Sequence, residues 1–508
     1  MKRKESFKFN SLLIANRGEI AIRIISTAKK LGIKTFVLKT AKEPKALYLR
    51  YADEIIDLSE RNNKDINEFL DIESIIEISK QYKIDAIHPG YGFLAENSLF
   101  AERCADENIC FIGPASDVIY MMGNKTVAKE IAIKHKIPVT KGSVGAVNTV
   151  QEAHVIAAEI GFPVIIKAAS GGGGRGMRIV NNDDELEKLF NLASVEAGKA
   201  FNDPSVFIEK YISKPRHIEF QILADEHGNV VHLGERDCSI QRKHQKLIEE
   251  APAFALNAAL REKMGNAAIK IAKAVGYTNA GTVEFLLDEK SDFYFMEMNT
   301  RIQVEHPVTE AITGLDLIEW QLRIASGQKL AYTQKDIKFS GWAIEFRVNA
   351  EDVEANFSPN QGTINKIHIP KGKNIRIDTG VENGSVITPY FDSMIAKIII
   401  TGPDRAKTIA NARSAFNKFM IEGIKTTVPF FKAILNNEKF LSGNFDTSFI
   451  EKDLTEYNYR EQNEEMVAAL FAAMDFYKDE KLENESFIDY KKGKNLSPWL
   501  FNNRLKLR

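Results

Sequence analysis

The sequence predicts a mixed protein, α/β at its start and α+β beyond, and three observations carry that expectation. Strand and helix patterns alternate through residues 1–121, paired strands joined by tight turns dominate from Pro215 onward, and a loop with five glycines lies between the two regimes. At ~150 residues per domain, the 508 residues suit roughly three domains.

The opening stretch SLLIAN reads as a strand. RGEIAIRIISTAKKLG follows with apolar residues at helical spacing and closes at Gly32, and KTFVLKT is a second strand. ESIIEISKQYKIDAIHPGYG repeats helix then strand up to a Pro-Gly turn, and CFIGP adds another strand. These units predict a parallel, Rossmann-like sheet over residues 1–121. No GxGxxG follows the first strand, so dinucleotide binding is unsupported.

A helical connection near Lys125 to Lys136 leads into a small α+β unit, with residues 122–212 read together as linker and lid. It holds the strand FPVIIKAA, the loop KAASGGGGRGMR, a helix rich in Ala, Leu and Glu, and the strand SVFIEKYI. From 213 to about 455 the pattern is antiparallel. HIEFQILAD and NVVHLGERD are joined by EHGN, and GTVEFLLD and FYFMEMNTR by EKS. WAIEFRVNAED and DSMIAKIIITG continue it. Residues 456–508 read as an amphipathic helix, NEEMVAALFAAMDFYKDEK, and a basic tail.

Composition excludes several classes. Hydrophobic residues at 44% and charged residues at 27% describe an ordinary globular chain, and a formal net charge of -1 gives no basic excess for nucleic acid. Cys104, Cys110 and Cys238 are too few and scattered for a disulfide framework or zinc cluster, which fits a reducing cytoplasm. MKRKESFKFN is basic but no apolar segment follows it, and no uninterrupted apolar run could span a bilayer. The expectation is a cytoplasmic protein without membrane or nucleic-acid partners.

The loop KAASGGGGRGMR removes Cβ atoms from consecutive positions, so its amides can approach an anion closely. A surface linker would also tolerate those glycines. A strand immediately before it, with Lys167, Arg175 and Arg178 around it, favours phosphate. It is not the GxxxxGK[ST] loop.

The strongest signal is FYFMEMNTRIQVEHPVTE, residues 293–310. If the chain stays extended, Glu297, Asn299, Arg301, Gln303 and Glu305 share one face, and the hairpin partner GTVEFLLD adds Glu284. Two carboxylates and an amide carbonyl form a hard oxygen set suited to magnesium on ATP phosphates. A solvated hairpin face would show the same alternation. Arg301 and Gln303 suit a small planar anion, and Glu305 stands where a base is needed. A second cluster, ERDCSIQRKHQKLIEEAP, holds Gln241, His244 and Lys246. His244 among Arg242, Lys243 and Lys246 favours an anion site over a buried structural histidine. Glu209 and Lys210 suit an adenine edge, though such a pair is common on surfaces. Cys238 reads as a small hydrophobe.

In order, IANRGEIAIR, HPGYGFLAEN, KAASGGGGRGMR, CSIQRKHQK, EMNTRIQVEHPVTE, EFRVNAED and PYFDSMIAKI resemble the biotin carboxylase family of ATP-grasp enzymes over about residues 8–455. Lys243 stands where the family pattern has Arg, and Val353 where it has Pro. The resemblance implies an N-terminal Rossmann-like (pre-ATP-grasp) domain at 1–121, linker and ATP-grasp lid at 122–212, ATP-grasp core with C-terminal biotin carboxylase domain at 213–455, and an extension at 456–508.

It further implies ATP contacts from Lys125, Lys167, Gly171, Gly172, Gly173, Gly174, Glu209, Lys210, Ile212, His217, Gln241, His244 and Glu284. Glu284, Glu297 and Asn299 would hold two Mg2+ or Mn2+ ions. Lys246, Arg301, Gln303 and the Val304 N–H would hold bicarbonate, Glu305 would deprotonate it, and Arg347 and Tyr91 would face biotin.

No Met-Lys-Met biotin-attachment motif appears. Biotin is therefore expected on a biotin carboxyl carrier protein, with a separate carboxyltransferase subunit. A homodimer is expected through the RGEIAIR region, and the extension would dock a partner or pack on its own subunit. The final acyl acceptor is not legible. Two rival readings are another ATP-grasp ligase acting on a carboxylate or bicarbonate, and a non-catalytic nucleotide-binding subunit.

Overall fold

Five short apolar strands open the fold in a computed structural model that describes residues 7–59, 67–143, 145–168, 177–201 and 203–454. They are β1 (Ser11–Ile14), β2 (Lys34–Lys39), β3 (Glu54–Asp57), β4 (Ala86–His88) and β5 (Cys110–Phe111), all parallel in the order β3-β2-β1-β4-β5. Leu12, Leu13 and Ile14 are wholly buried, as strands covered on both faces must be. Helix α1 (Gly18–Lys30) buries Ile20, Ala21, Ile24, Ile25 and Ala28, the stripe its spacing predicts. Helices α2 (Ile72–Gln81) and α3 (Ser98–Asp106) are capped by the side chains of Asp71 and Asn97. Asn16, just after β1, donates its amide to the carbonyls of Pro89 and Tyr91 and so ties the loop after β4 to the start of α1.

Helices α4 (Ser116–Gly123) and α5 (Lys125–Lys134) lead to a small antiparallel sheet, β7-β6-β8, built from β6 (Val164–Ala168), β7 (Arg178–Val180) and β8 (Val206–Lys210). With α6 (Val150–Ile160) and α7 (Asp183–Phe201) it encloses its own apolar cluster, including Ala157, Val164, Ile166, Phe190 and Ile208. The loop with Gly171, Gly172, Gly173, Gly174, Arg175 and Gly176 lies outside the described residues, as does the extension 456–508.

The dominant element is an eight-stranded antiparallel sheet. Its strands are β9 (Arg216–Ala224), β10 (Val230–Arg242), β11 (Gln245–Ala251), β12 (Asn279–Leu287), β13 (Phe293–Asn299), β14 (Trp342–Asn349) and the strands Ile375–Thr379 and Met394–Gly402. The order is β13-β12-β9-β10-β11-β14, then Met394–Gly402, then Ile375–Thr379. The two hairpins predicted from EHGN and EKS form β9-β10 and β12-β13. On one face Ile218, Phe220, Ile222, Val283 and Phe285 pack with Met264, Ala268 and Ile271 of helix α8 (Ala258–Ala274). The residues between them point the other way and are largely charged.

One expectation fails here. Strand β13 stops at Asn299, and residues 300–305 turn into helix α9 (His306–Thr313), which has Pro307 in its first turn. Proline there has no N–H to give a ladder and is already shaped for a helix start. Arg301, Gln303 and Glu305 therefore do not share a strand face with Glu297.

Candidate active site

Register across the large sheet assembles a charged row. Glu297 on β13 stands opposite Glu284 on β12, Glu284 opposite Glu219 on β9, and Glu219 opposite Arg236 on β10. Further along, Glu249 on β11 pairs with Glu345 on β14, and Arg347 on β14 with Lys397. Alternation explains how each strand serves two interiors: Ile218 and Phe220 enter the apolar core while His217, Glu219 and Gln221 enter the cleft.

Buried charges persist only when paired. Lys246 sits 2.5 Å from Glu219, 2.9 Å from Glu284 and 2.7 Å from Glu305. Arg236, completely buried, donates to Glu219, Gln221, Thr282 and Thr309. Burial opposes ionisation of Glu305, but Lys246, Arg347 and Arg236 outweigh it and hold its pKa well below the ordinary value. Burial equally opposes the charge on Lys246, yet its three carboxylates raise its pKa well above normal. Arg347 donates to Glu305 at 2.8 Å and forms an ion pair with Glu249 at 2.6 Å. Burial drives the Glu249 carboxyl up to about 7 despite that cation.

Arg301 and Gln303 reach the cleft through the turn. Arg301 donates to Glu96 at 2.9 Å and to the Gln303 side-chain oxygen Oε1 at 2.8 Å, and Gln303 Nε2 donates to Glu284 at 3.3 Å. Val304 lies between Gln303 and Glu305, and its carbonyl accepts from Lys397. Tyr91, in the loop after β4, donates its hydroxyl to Glu19.

The residues expected around a nucleotide occupy the side nearer β13 and the small sheet. Lys125 approaches Glu297 to 4.0 Å. Glu209 on β8 is bracketed by Lys167 at 2.8 Å and Lys129 at 3.0 Å; burial opposes this, but the two cations hold its carboxyl down to about 2. His217 is buried 2.7 Å from Glu284, and burial is outweighed by that carboxylate, so its pKa is raised. Gln241 is buried near the end of β10, while His244 is exposed at the β10-β11 turn, where it and Lys243 adopt left-handed backbone. Ile212 follows β8 and is partly buried. Lys210 turns aside: its ammonium binds the carbonyls of Gly161 and Phe162 at the end of α6, so only its backbone is available to a ligand edge.

Glu284, Glu297 and Asn299 fit a divalent cation chemically. Two carboxylates stand in direct cross-strand register beside an amide, and Glu297 is raised in pKa by burial and by the Glu284 charge. Lys246 and His217 balance Glu284, whereas Glu297 has only Lys125 at 4.0 Å, so a hard cation would supply charge on the Glu297 side of the pair.

The sequence reading missed Glu219, Arg236, Glu249, Glu345, Glu96, Lys129 and Lys397. For those on strands the signal was charge alternating with apolar residues, as in HIEF and AIEFR, which usually marks a solvent face; Glu96 in a loop and Lys129 on α5 carried no such signal. The polar side chains of RGEIAIR also engage their own chain. Arg17 binds Glu43, Arg23 binds Glu310 and Asp316, and Glu19 binds Lys397.

Three family descriptions match in chain order: Biotin carboxylase, N-terminal domain, at residues 8–119; Carbamoyl-phosphate synthase L chain, ATP binding domain, at 124–333; and Biotin carboxylase C-terminal domain, at 345–452. Biotin carboxylase 1 of Bacillus subtilis (strain 168) is 51% identical over 441 residues, covering 87% of this chain and 98% of that protein. The chain belongs to the biotin carboxylase family. A second biotin carboxylase, from Nostoc sp. (strain PCC 7120 / SAG 25.82 / UTEX 2576), is 52% identical over 445 residues, covering 88% of this chain and 99% of that protein. Among solved structures, the biotin carboxylase domain dimer of Hydrogenobacter thermophilus 2-oxoglutarate carboxylase, in complex with MgADP, ADP and bicarbonate, has a TM-score of 0.86 at 46% identity. It covers 90% of this chain and 100% of that one. The parallel N-terminal sheet and the large antiparallel sheet are thus those of a biotin carboxylase, an ATP-grasp fold.

Proposed function

We propose that this chain carboxylates biotin at the expense of ATP, with bicarbonate as the carbon source. The observation that carries the reading is Glu305, held between Lys246 and Arg347 beside the Glu284–Glu297 pair. It brings a base, anion-binding cations and a metal-type acid pair into one cleft.

Bicarbonate lies against Arg301, Gln303, Lys246 and the Val304 N–H, and Glu305 removes its proton. In the ligand-free site Lys246 holds Glu305 anionic and weakly basic. A bound bicarbonate shares that ammonium, so the basicity of Glu305 rises as its substrate arrives. The oxyanion attacks the γ-phosphorus of ATP, ADP leaves, and carboxyphosphate splits into CO2 and phosphate. Phosphate takes the proton from the biotin ureido nitrogen, which then bonds to CO2, while Arg347 stabilises the enolate-like oxygen and Tyr91 lies beside the ring. Glu284, Glu297 and Asn299 would hold two magnesium or manganese ions, which would supply positive charge to the ATP phosphates. Lys125, Lys167, Glu209, Ile212, His217, Gln241 and His244 surround the nucleotide, with Lys167 neutralising phosphate charge.

Biotin arrives on a carrier protein and its carboxyl group passes to a carboxyltransferase subunit. The chain works as a homodimer in the cytoplasm; the dimer of the Hydrogenobacter thermophilus domain supports the first point. Among the described residues no helix is long and apolar enough to cross a membrane.

The test is ADP release with and without bicarbonate and free biotin. This reading expects release that needs bicarbonate and rises with biotin, with labelled carbon from bicarbonate appearing in carboxybiotin. A different ligase ignores biotin, and a nucleotide-binding subunit releases no ADP.

A further inference from the structure

Lys397 is a buried cation to which the mechanism above assigns no role. Lys397 is the single charge in the strand Met394–Gly402, where Ile395, Ala396, Ile398, Ile399 and Ile400 are buried around it, and its own side chain is wholly buried. An apolar residue would fill that position at lower desolvation cost. Its contacts join three parts of the chain. Its ammonium donates to the Val304 carbonyl at 2.8 Å, pairs with Glu19 of α1 at 3.1 Å, and lies 5.9 Å from the centre of the Tyr91 ring. Glu19 in turn accepts the Tyr91 hydroxyl on the same oxygen that faces Lys397, and its other oxygen has no hydrogen-bond partner. Arg347 and Asp378 stand opposite Lys397 on the two flanking strands.

The Val304 carbonyl belongs to the peptide that joins Val304 to Glu305. Fixing that oxygen fixes the peptide plane immediately before the base. Through Glu19, the same ammonium fixes the direction of the Tyr91 hydroxyl, which lines a cleft of about 340 Å3 with Asn16, Arg17, Tyr390 and Asp392. We propose that Lys397 is a positioning residue that couples the two halves of the reaction, holding the Val304–Glu305 peptide for bicarbonate and, through Glu19, the Tyr91 hydroxyl for biotin. This rests on the carboxylation reading given above. Burial raises the Glu19 carboxyl and Lys397 opposes that rise, so loss of Lys397 also deprives Tyr91 of a charged acceptor.

Lys397→Met and Glu19→Gln test it in the full-length protein, with ADP release and carboxybiotin measured together. For Lys397→Met, carboxybiotin formation falls at least about tenfold, ADP released per carboxybiotin rises at least about threefold, and the KM for ATP stays within about twofold. For Glu19→Gln, bicarbonate-dependent ADP release without biotin stays within about twofold and the KM for biotin rises at least about fivefold. A merely structural lysine would lower both products together and leave their ratio unchanged, and that result overturns the proposal. If Lys397→Met does not fold, Glu19→Gln decides: an unchanged KM for biotin overturns it. A wild-type protein that ignores biotin instead overturns the carboxylation reading, on which this one stands.

Discussion

The Lys246 ammonium lies 2.7 Å from a carboxylate oxygen of Glu305, and the Glu305 side chain is completely shielded from solvent. The same lysine also neutralises Glu219 and Glu284. It balances acids on two strands and on the turn before α9, as well as contributing to the anion site.

Lys246→Met is therefore expected to weaken the fold as well as the reaction. Removing one member of a buried ionic cluster leaves uncompensated charge and costs roughly 3–5 kcal/mol. Glu305 then takes up a proton more easily, because its largest stabilising charge is gone. Guanidinium unfolding midpoints read the first effect and carboxybiotin formation the second. A variant as stable as wild type would show that the three carboxylates do not depend on this cation.

Arg347→Ala is expected to keep nucleotide binding and lose biotin carboxylation by about a thousandfold, equivalent to about 4 kcal/mol. The loss includes the release of Glu305 and Glu249, since Arg347 holds both. Arg347→Lys fails to rescue, because one ammonium lacks the planar fork that spans two acids. Steady-state carboxylation beside nucleotide-induced thermal shifts separates chemistry from binding; near wild-type turnover in the alanine variant removes Arg347 from the mechanism.

Glu297→Gln and Glu284→Gln should differ. Glu297 is partly exposed and touches one distant lysine, so its loss raises the magnesium concentration needed for ADP release by about tenfold with little change in melting temperature. Glu284 binds His217, Lys246 and Asn299, so its loss costs stability too. Magnesium titrations of ADP release and thermal melts check both; equal melting losses would contradict this asymmetry.

Acid should destabilise the protein through its buried histidines. Burial lowers the His88 pKa to about 3 and the His232 pKa to about 4, against 6.5 when unfolded. Between those values the unfolded chain binds more protons than the folded one, so stability falls as pH drops below 6.5. Each histidine contributes a slope of up to about 1.4 kcal/mol per pH unit. Melting temperatures at several pH values, with His232→Gln as the comparison, read that slope; identical slopes in the two proteins would refute the role of His232.

Much of this was legible in the sequence because it depended on local pattern. Alternating units from SLLIAN to CFIGP specified the parallel sheet, and the EKS turn placed Glu284 opposite Glu297. What escaped was non-local. Arg301, Gln303 and Glu305 enter the cleft through a turn, and Pro307 was the one local sign that the strand had ended. Glu219, Glu249 and Glu345 alternate with apolar residues as solvent-facing positions do, and only the packed sheet covers both faces of their strands. Arg301 with Glu96 and Lys397 with Glu19 join segments hundreds of residues apart, and no short window contains them.

The unbroken sheet also sets a scale for the chemistry. Neighbouring strands lie about 4.8 Å apart, a spacing maintained by peptide hydrogen bonds and insensitive to side-chain packing. Reagents bound over different strands stand at intervals that only long side chains can bridge, which explains a cleft furnished with Glu, Lys and Arg. Aspartate at such a position keeps the charge yet withdraws it by one methylene, so reach, as much as sign, is what this scaffold demands of its polar residues.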